Sequence, residues 1–184
     1  MIYPSVQSAV VSALAAECID NTSKQAWQKL IDLDTVRVGS GVSGSDRMQA
    51  DCWVFARLHS QLIPRHWNAL VAKFSTHKGR KVQAISALVP VVASHAPRLF
   101  VTSAVTAWAI PQLKGLDGKR SADMIVLPPE FYDFNRWDPD ANPERTRRRW
   151  RQGVGQVLED MVTDALAAAE QVLEQEGVLA RSAA

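Results

Sequence analysis

The residues best suited to chemistry crowd between positions 65 and 83. His77, Lys78, Arg80 and Lys81 fall within five positions, with Arg65 and Lys73 upstream and Gln83 just beyond. Converging ammonium, guanidinium and imidazole groups bind phosphate through charge-assisted hydrogen bonds. Arg also pairs with guanine edges and Gln with adenine edges, so the same set can read bases. A second group places Arg145, Arg147, Arg148, Arg149 and Arg151 within seven positions. Helical spacing spreads these five around a cylinder, so they cannot all be buried. Glu144 is spaced to pair with Arg148 at i, i+4. The others are open to phosphates or to the acids of a partner.

The distribution of charge singles out the same part of the chain. Residues 1–51 carry four basic and six acidic side chains, residues 52–116 eight basic and no acidic ones, and residues 117–184 nine basic and thirteen acidic ones. All four histidines, His59, His66, His77 and His95, lie in the acid-free stretch. A region with this asymmetry holds a positive potential that attracts polyanions. The alternative is that it docks on the acidic C-terminal third of its own chain.

Enzyme chemistry finds little footing. There is no phosphate-binding glycine loop and no HExxH, and the histidines lack metal spacing. Asp138-Pro-Asp140-Ala-Asn142 shares the opening of a calcium loop. It lacks the following glycine, and Arg149 stands where the late bidentate Glu belongs, so it reads as turn and cap chemistry. No catalytic residue, metal site or cofactor is expected. Cys18 and Cys52 have no ligand spacing and read as small core residues in a reducing compartment. The uncharged first sixteen residues lack the basic start of a secretory signal. The apolar runs 82–97 and 99–113 are too short to span a bilayer. A cytoplasmic protein with no membrane partner is expected.

An all-α fold is expected to position these groups. Val6, Val10, Leu14 and Cys18 recur in steps of four, as in an amphipathic helix over 4–19. A second helix fits 23–33, with Ser23 as N-cap and Trp27, Leu30 and Ile31 inward. Gly39–Ser45 reads as a linker. A third helix fits 45–62, with Val54, Phe55, Leu58, Gln61 and Leu62 on one side. Pro64 suits the first position of a fourth, where Trp67, Leu70, Val71 and Phe74 form a stripe. Ser75 to Gly79 breaks the pattern. Helices to about Leu88 and from Pro97 to Ala109 follow. Residues 124–127 read as a short strand, and Phe131, Tyr132, Phe134 and Trp137 as an aromatic loop that straps the core or meets a partner. Asn142-Pro143-Glu144 opens a final helix, stopped near Gly177. At roughly 34 residues it would be about 50 Å long, with Leu158, Met161, Ala165, Ala168 and Val172 as its seam. The resulting divisions are 1–38, a helical pair; 45–111, a basic core; 112–141, the aromatic loop; and 142–178, the long helix, all within one structural domain.

Two features of the helix after Ser75 sharpen the phosphate reading. Placing Val82, Ile85 and Val89 inward leaves Arg80, Gln83, Ala84 and Ala87 outward, one Arg, one Gln and two small residues. The cations of its first turn oppose the helix dipole, at about 0.3–1 kcal/mol each when exposed. An incoming phosphate would convert that cost into attraction.

The segment Leu62-Ile-Pro-Arg-His-Trp-Asn-Ala-Leu-Val-Ala-Lys-Phe74, with the basic turn and helix after it, resembles the helix-turn-helix of sigma-factor region four. It is also similar to small prophage-encoded regulators, including late-gene antitermination proteins. The likeness covers residues 46–90, and Gly79 lies at the helix start rather than at the centre of the turn. It implies a helix-turn-helix fold and a DNA-binding transcriptional regulator of phage type acting with RNA polymerase. Arg80, Gln83 and Lys81 would then be groove or backbone contacts. Double-stranded DNA is the expected partner. A homodimer through the final helix, basic at its start and acidic beyond, is the second expectation. The alternative function is a non-enzymatic helical interaction protein using the Trp137 loop and the C-terminal helix.

Overall fold

A computed structural model describes residues 3–16, 44–112 and 125–178. The helix expected over 23–33, Cys18 and most of the linker lie outside the described residues. Among those described there are six α-helices and no strand: α1 (Val6–Ala16), α2 (Gly44–Gln61), α3 (Pro64–Phe74), α4 (Lys78–Leu88), α5 (Arg98–Ala109) and α6 (Glu144–Gln175). The strand reading of 124–127 fails over residues 125–127, which are irregular. Pro128 and Pro129 lead instead into a 3-10 turn, Pro129–Tyr132, followed by a second over Phe134–Arg136. No helix among the described residues is long and apolar enough to cross a membrane.

The chain divides into two compact units, residues 1–62 with 166–184, and residues 63–165. In the first, α1 packs on α2. Ala9, Val10, Ala13 and Leu14 meet a core that includes Val54, Leu58 and Leu62. The inner face of α2 differs from the expected one. Gln61 and Cys52 are exposed, and Asp51 is buried. The reason is a partner 48 residues away: the Tyr3 hydroxyl donates to Asp51 Oδ1 at 2.6 Å. Burial, and the bond to the Asp51 carboxylate, push the Tyr3 hydroxyl far above its ordinary titration range. Glu176, just past α6, pairs with Arg57 at 2.6 Å. Gly177 (φ +73°) ends that helix as a left-handed cap. The N–H of Val178 reaches Leu173 O and that of Gly177 reaches Glu174 O, so two otherwise orphaned carbonyls are satisfied.

In the second unit Pro64 opens α3 as its first residue, where the missing N–H is harmless. Ala69, Leu70, Val71 and Ala72 are buried, with Trp67 and Phe74 half-buried beside them. α3 packs closely on α4, and α4 on α5. Phe100 of α5 is fully buried, with the edges of Trp137 and Trp150 at ring distances of 5.4 and 5.5 Å. The aromatic loop is therefore a strap. Trp137 is 4% exposed and donates to Phe131 O, while the Tyr132 hydroxyl donates to Ile110 O. Asp138 closes the strap onto α6. Its oxygens accept from the N–H groups of Asp140 and Asn142 and from the Asn142 side-chain amide. Burial raises the Asp138 carboxyl, but these bonds and nearby Arg147 outweigh it and hold it below its ordinary value. Ala141, between them, adopts φ +50°, a left-handed conformation that costs an L-residue energy. In α6 the buried positions are Val154, Leu158, Met161, Val162, Ala165, Ala169 and Leu173. The seam thus keeps Leu158, Met161 and Ala165 but runs through Ala169 and Leu173, where Ala168 and Val172 were expected.

Candidate nucleic-acid interface

The link between α3 and α4 is only Ser75-Thr76-His77, because α4 begins at Lys78. Ser75 is buried, and its hydroxyl oxygen accepts the N–H of His77 at 3.1 Å. His77 is the N-cap of α4: its Nδ1 accepts the Arg80 N–H at 3.2 Å. This bond satisfies one of the orphan donors of the first turn. An added Cβ on Gly79 would meet His77 Cε1 at 3.4 Å, an ordinary van der Waals contact.

The cations around this link divide into two sets. Lys78 and Arg80 are exposed on the first turn of α4, and Gln83 is exposed one turn on. Arg65 is exposed at the start of α3. Lys73 and Lys81, by contrast, point into the unit. Lys81 donates to Lys73 O and Ser75 O at 3.4 and 3.1 Å, so it caps the C-terminal end of α3. Burial, and then the charge of Lys73, lower the Lys81 ammonium from its ordinary value. Lys73 donates to Glu159 Oε1 and sits 4.7 Å from the centre of the Trp108 ring. The same oxygen accepts Trp108 Nε1–H at 2.7 Å. Burial raises Glu159, but these two hydrogen bonds and the Lys73 charge more than offset it and keep the carboxyl below its ordinary value.

The face of α4 is rotated from the expected one. Ala84 is 2% exposed, and Ile85, Leu88 and Val89 are buried with it, whereas Val82 is 52% exposed. Ala84 and Val82 have exchanged roles because Lys81, counted outward as a cation, turns inward to reach the α3 carbonyls. The outward face consists of Gly79, Val82, Gln83, Ser86 and Ala87, with Lys78 and Arg80 at its edges. Of the set expected outward, Arg80, Gln83 and Ala87 are exposed.

The second basic group is also divided. Arg148 pairs with Glu144 at 2.8 Å, as the i, i+4 spacing predicts. Arg147 donates to Asn135 O at 2.9 Å, and its buried Nε has no hydrogen-bond partner. The Arg151 guanidinium lies 5.6 Å from the centre of the Phe134 ring. Arg145 and Arg149 are exposed and have no partner among the described residues. Among those residues no cluster of His, Cys, Asp or Glu could hold a metal ion.

Sequence reasoning missed the His77 cap, the inward turn of Lys81 and the exposure of Val82. A polar residue just before Lys78 was a signal for the first. The other two depend on carbonyls and packing from α3, which no local pattern contains. No protein-family model, curated protein or solved structure matches this chain.

Proposed function

We propose that this chain is a DNA-binding regulator of transcription, of the phage or prophage kind that residues 46–90 resemble, acting in the cytoplasm and without a catalytic centre. In this reading α3 and α4 form the helix-turn-helix and α4 enters the major groove. The observation that carries it is the outward face of α4. It holds no acid, its residues are small except for Val82 and Gln83, and two exposed cations flank its first turn. Small residues let the helix backbone sit deep, and Lys78 and Arg80 stand where the phosphate walls of a groove would be.

Charge supports the same assignment. Residues 63–165 contain fifteen basic and ten acidic side chains, and the remainder of the chain six and nine. Two of the basic residues in the acid-free stretch are answered by acids of the C-terminal third, Lys73 by Glu159 and Arg57 by Glu176. Arg65, Lys78, Arg80 and Arg98 remain exposed. Trp137, the anchor of a protein-binding alternative, is buried. Contacts with RNA polymerase and pairing of two copies through α6 are part of the same proposal.

The test is a salt-titrated binding series of the full chain on duplex DNA. Replacing Lys78 and Arg80 together by Ala should weaken binding and reduce the slope of log affinity against log salt by about 1.8, since each phosphate contact contributes about 0.9. An unchanged affinity and slope would remove the proposal.

A further inference from the structure

We infer that the outward face of α4 makes binding sequence-selective, and that it selects an adenine–thymine step: Gln83 on the adenine edge, and Val82 against the methyl group of a neighbouring thymine. This rests on the DNA-binding reading and specifies its target. The centre of the exposed face is the stripe Gly79, Gln83 and Ser86, at spacings of four and three. Gly79 has no side chain. The Ser86 hydroxyl donates to Val82 O at 3.0 Å, so its hydrogen is committed within the helix. Gln83 is then the stripe's one side chain with both the reach and a donor–acceptor pair for a base edge. An amide of this kind matches the N6 donor and N7 acceptor of adenine bidentately, and no other base presents that pair in the major groove.

Val82 supplies the second element. A valine left 52% exposed on a helix whose opposite face is packed is available for apolar contact. The thymine methyl is the one apolar group that a base presents in the major groove. Val82 adjoins Gln83 in sequence and lies to one side of the stripe, and Ala87 lies to the other. The two side chains therefore address neighbouring positions and not the same base. Guanine recognition would need an arginine on the stripe. Arg80 stands instead at the edge of the face, across the stripe from Lys78, where the phosphates run.

The experiment uses the full chain and a pool of random-sequence duplexes, retained and sequenced after binding. The wild type should enrich a motif containing an adenine–thymine step. Gln83→Ala should lose the preference at one position, a discrimination worth about 5- to 150-fold, with its salt slope unchanged. Uracil in place of thymine in the enriched duplex should weaken the wild type about fourfold, the contribution of one buried methyl-sized group. The same replacement should leave Val82→Ala unaffected. Retention of all duplexes alike, or an identical motif from the wild type and both variants, overturns the inference while DNA binding stands. No retention of any duplex at low salt removes both readings. Since both side chains are exposed, unchanged helical circular dichroism and Tm confirm that the variants are folded.

Discussion

Two helix starts in the second unit carry clusters of cations, and their surroundings differ. The start of α6 has five arginines within seven positions, but most are occupied. Glu144 holds Arg148, a strap carbonyl holds Arg147, and the Phe134 ring lies under Arg151. The start of α4 has fewer cations and no acid in its first turn, and its cap is the His77 imidazole. Three of the five α6 arginines lie against an acid, a carbonyl or a ring, whereas Lys78 and Arg80 are exposed at the edges of a face of α4 that holds no acid. The proposed interface rests on that face and not on the number of cations.

The widest separation between the two starts should come from charge reversal. Lys78→Glu with Arg80→Glu should lower duplex affinity about 100-fold or more at moderate salt, because two attractive phosphate contacts become repulsive. Arg145→Glu with Arg149→Glu should cost less than about 10-fold, because α6 is not the helix proposed to enter the groove. A gel-shift series on the same duplex measures both, and equal losses would erase the distinction. A smaller effect separates the inward cation from the outward ones. Lys81→Met should destabilise the fold by about 1 kcal/mol, the net loss of the hydrogen bonds that cap α3. The affinity of the folded protein should stay within about twofold, as urea unfolding and binding measured together would show.

Two further changes probe the supports of α6. Ala141→Gly removes the cost of a left-handed alanine and should stabilise the chain by about 0.5–1 kcal/mol without altering binding. A lower Tm would mean that the strap gains from this alanine. Glu159→Gln should have the smallest effect, below about 1 kcal/mol, because the pair with Lys73 is partly solvated. The Glu159 carboxyl is depressed in the folded state. Its contribution is therefore complete above the ordinary carboxylate range and is lost as pH falls through the lower folded value. Wild type and variant should differ near neutrality and converge in acid. A gap that persists in acid would show that the charge of Glu159 is not what separates the two proteins.

Much of the fold was legible. Pro64, the Asn142-Pro143-Glu144 start and Gly177 mark helix ends through local backbone chemistry, and the helices lie within a few residues of their expected places. The four-residue recurrence along α1 led to its buried face, and Leu158, Met161 and Ala165 to the middle of the α6 seam. The orientation of α4 was not legible, because a helical wheel ranks Lys81 as a surface residue whatever lies beneath it. Asp51 was missed for the same reason: its partner, Tyr3, lies 48 residues away. Cys52 shows the reverse, a residue type usual in cores that lies on the exposed side of α2.

The amino-acid sequence alone determined that the chain is helical, where most of its helices begin and end, and that acids are excluded from residues 52–116. Each of these follows from the chemistry of neighbouring residues. Only the tertiary structure decided which cations face outward. That choice depends on the carbonyls at the end of α3, on Glu159 of α6 and on the rings of the strap, all brought near by packing. A charge has no direction in a sequence; it acquires one when the fold turns it inward or leaves it exposed.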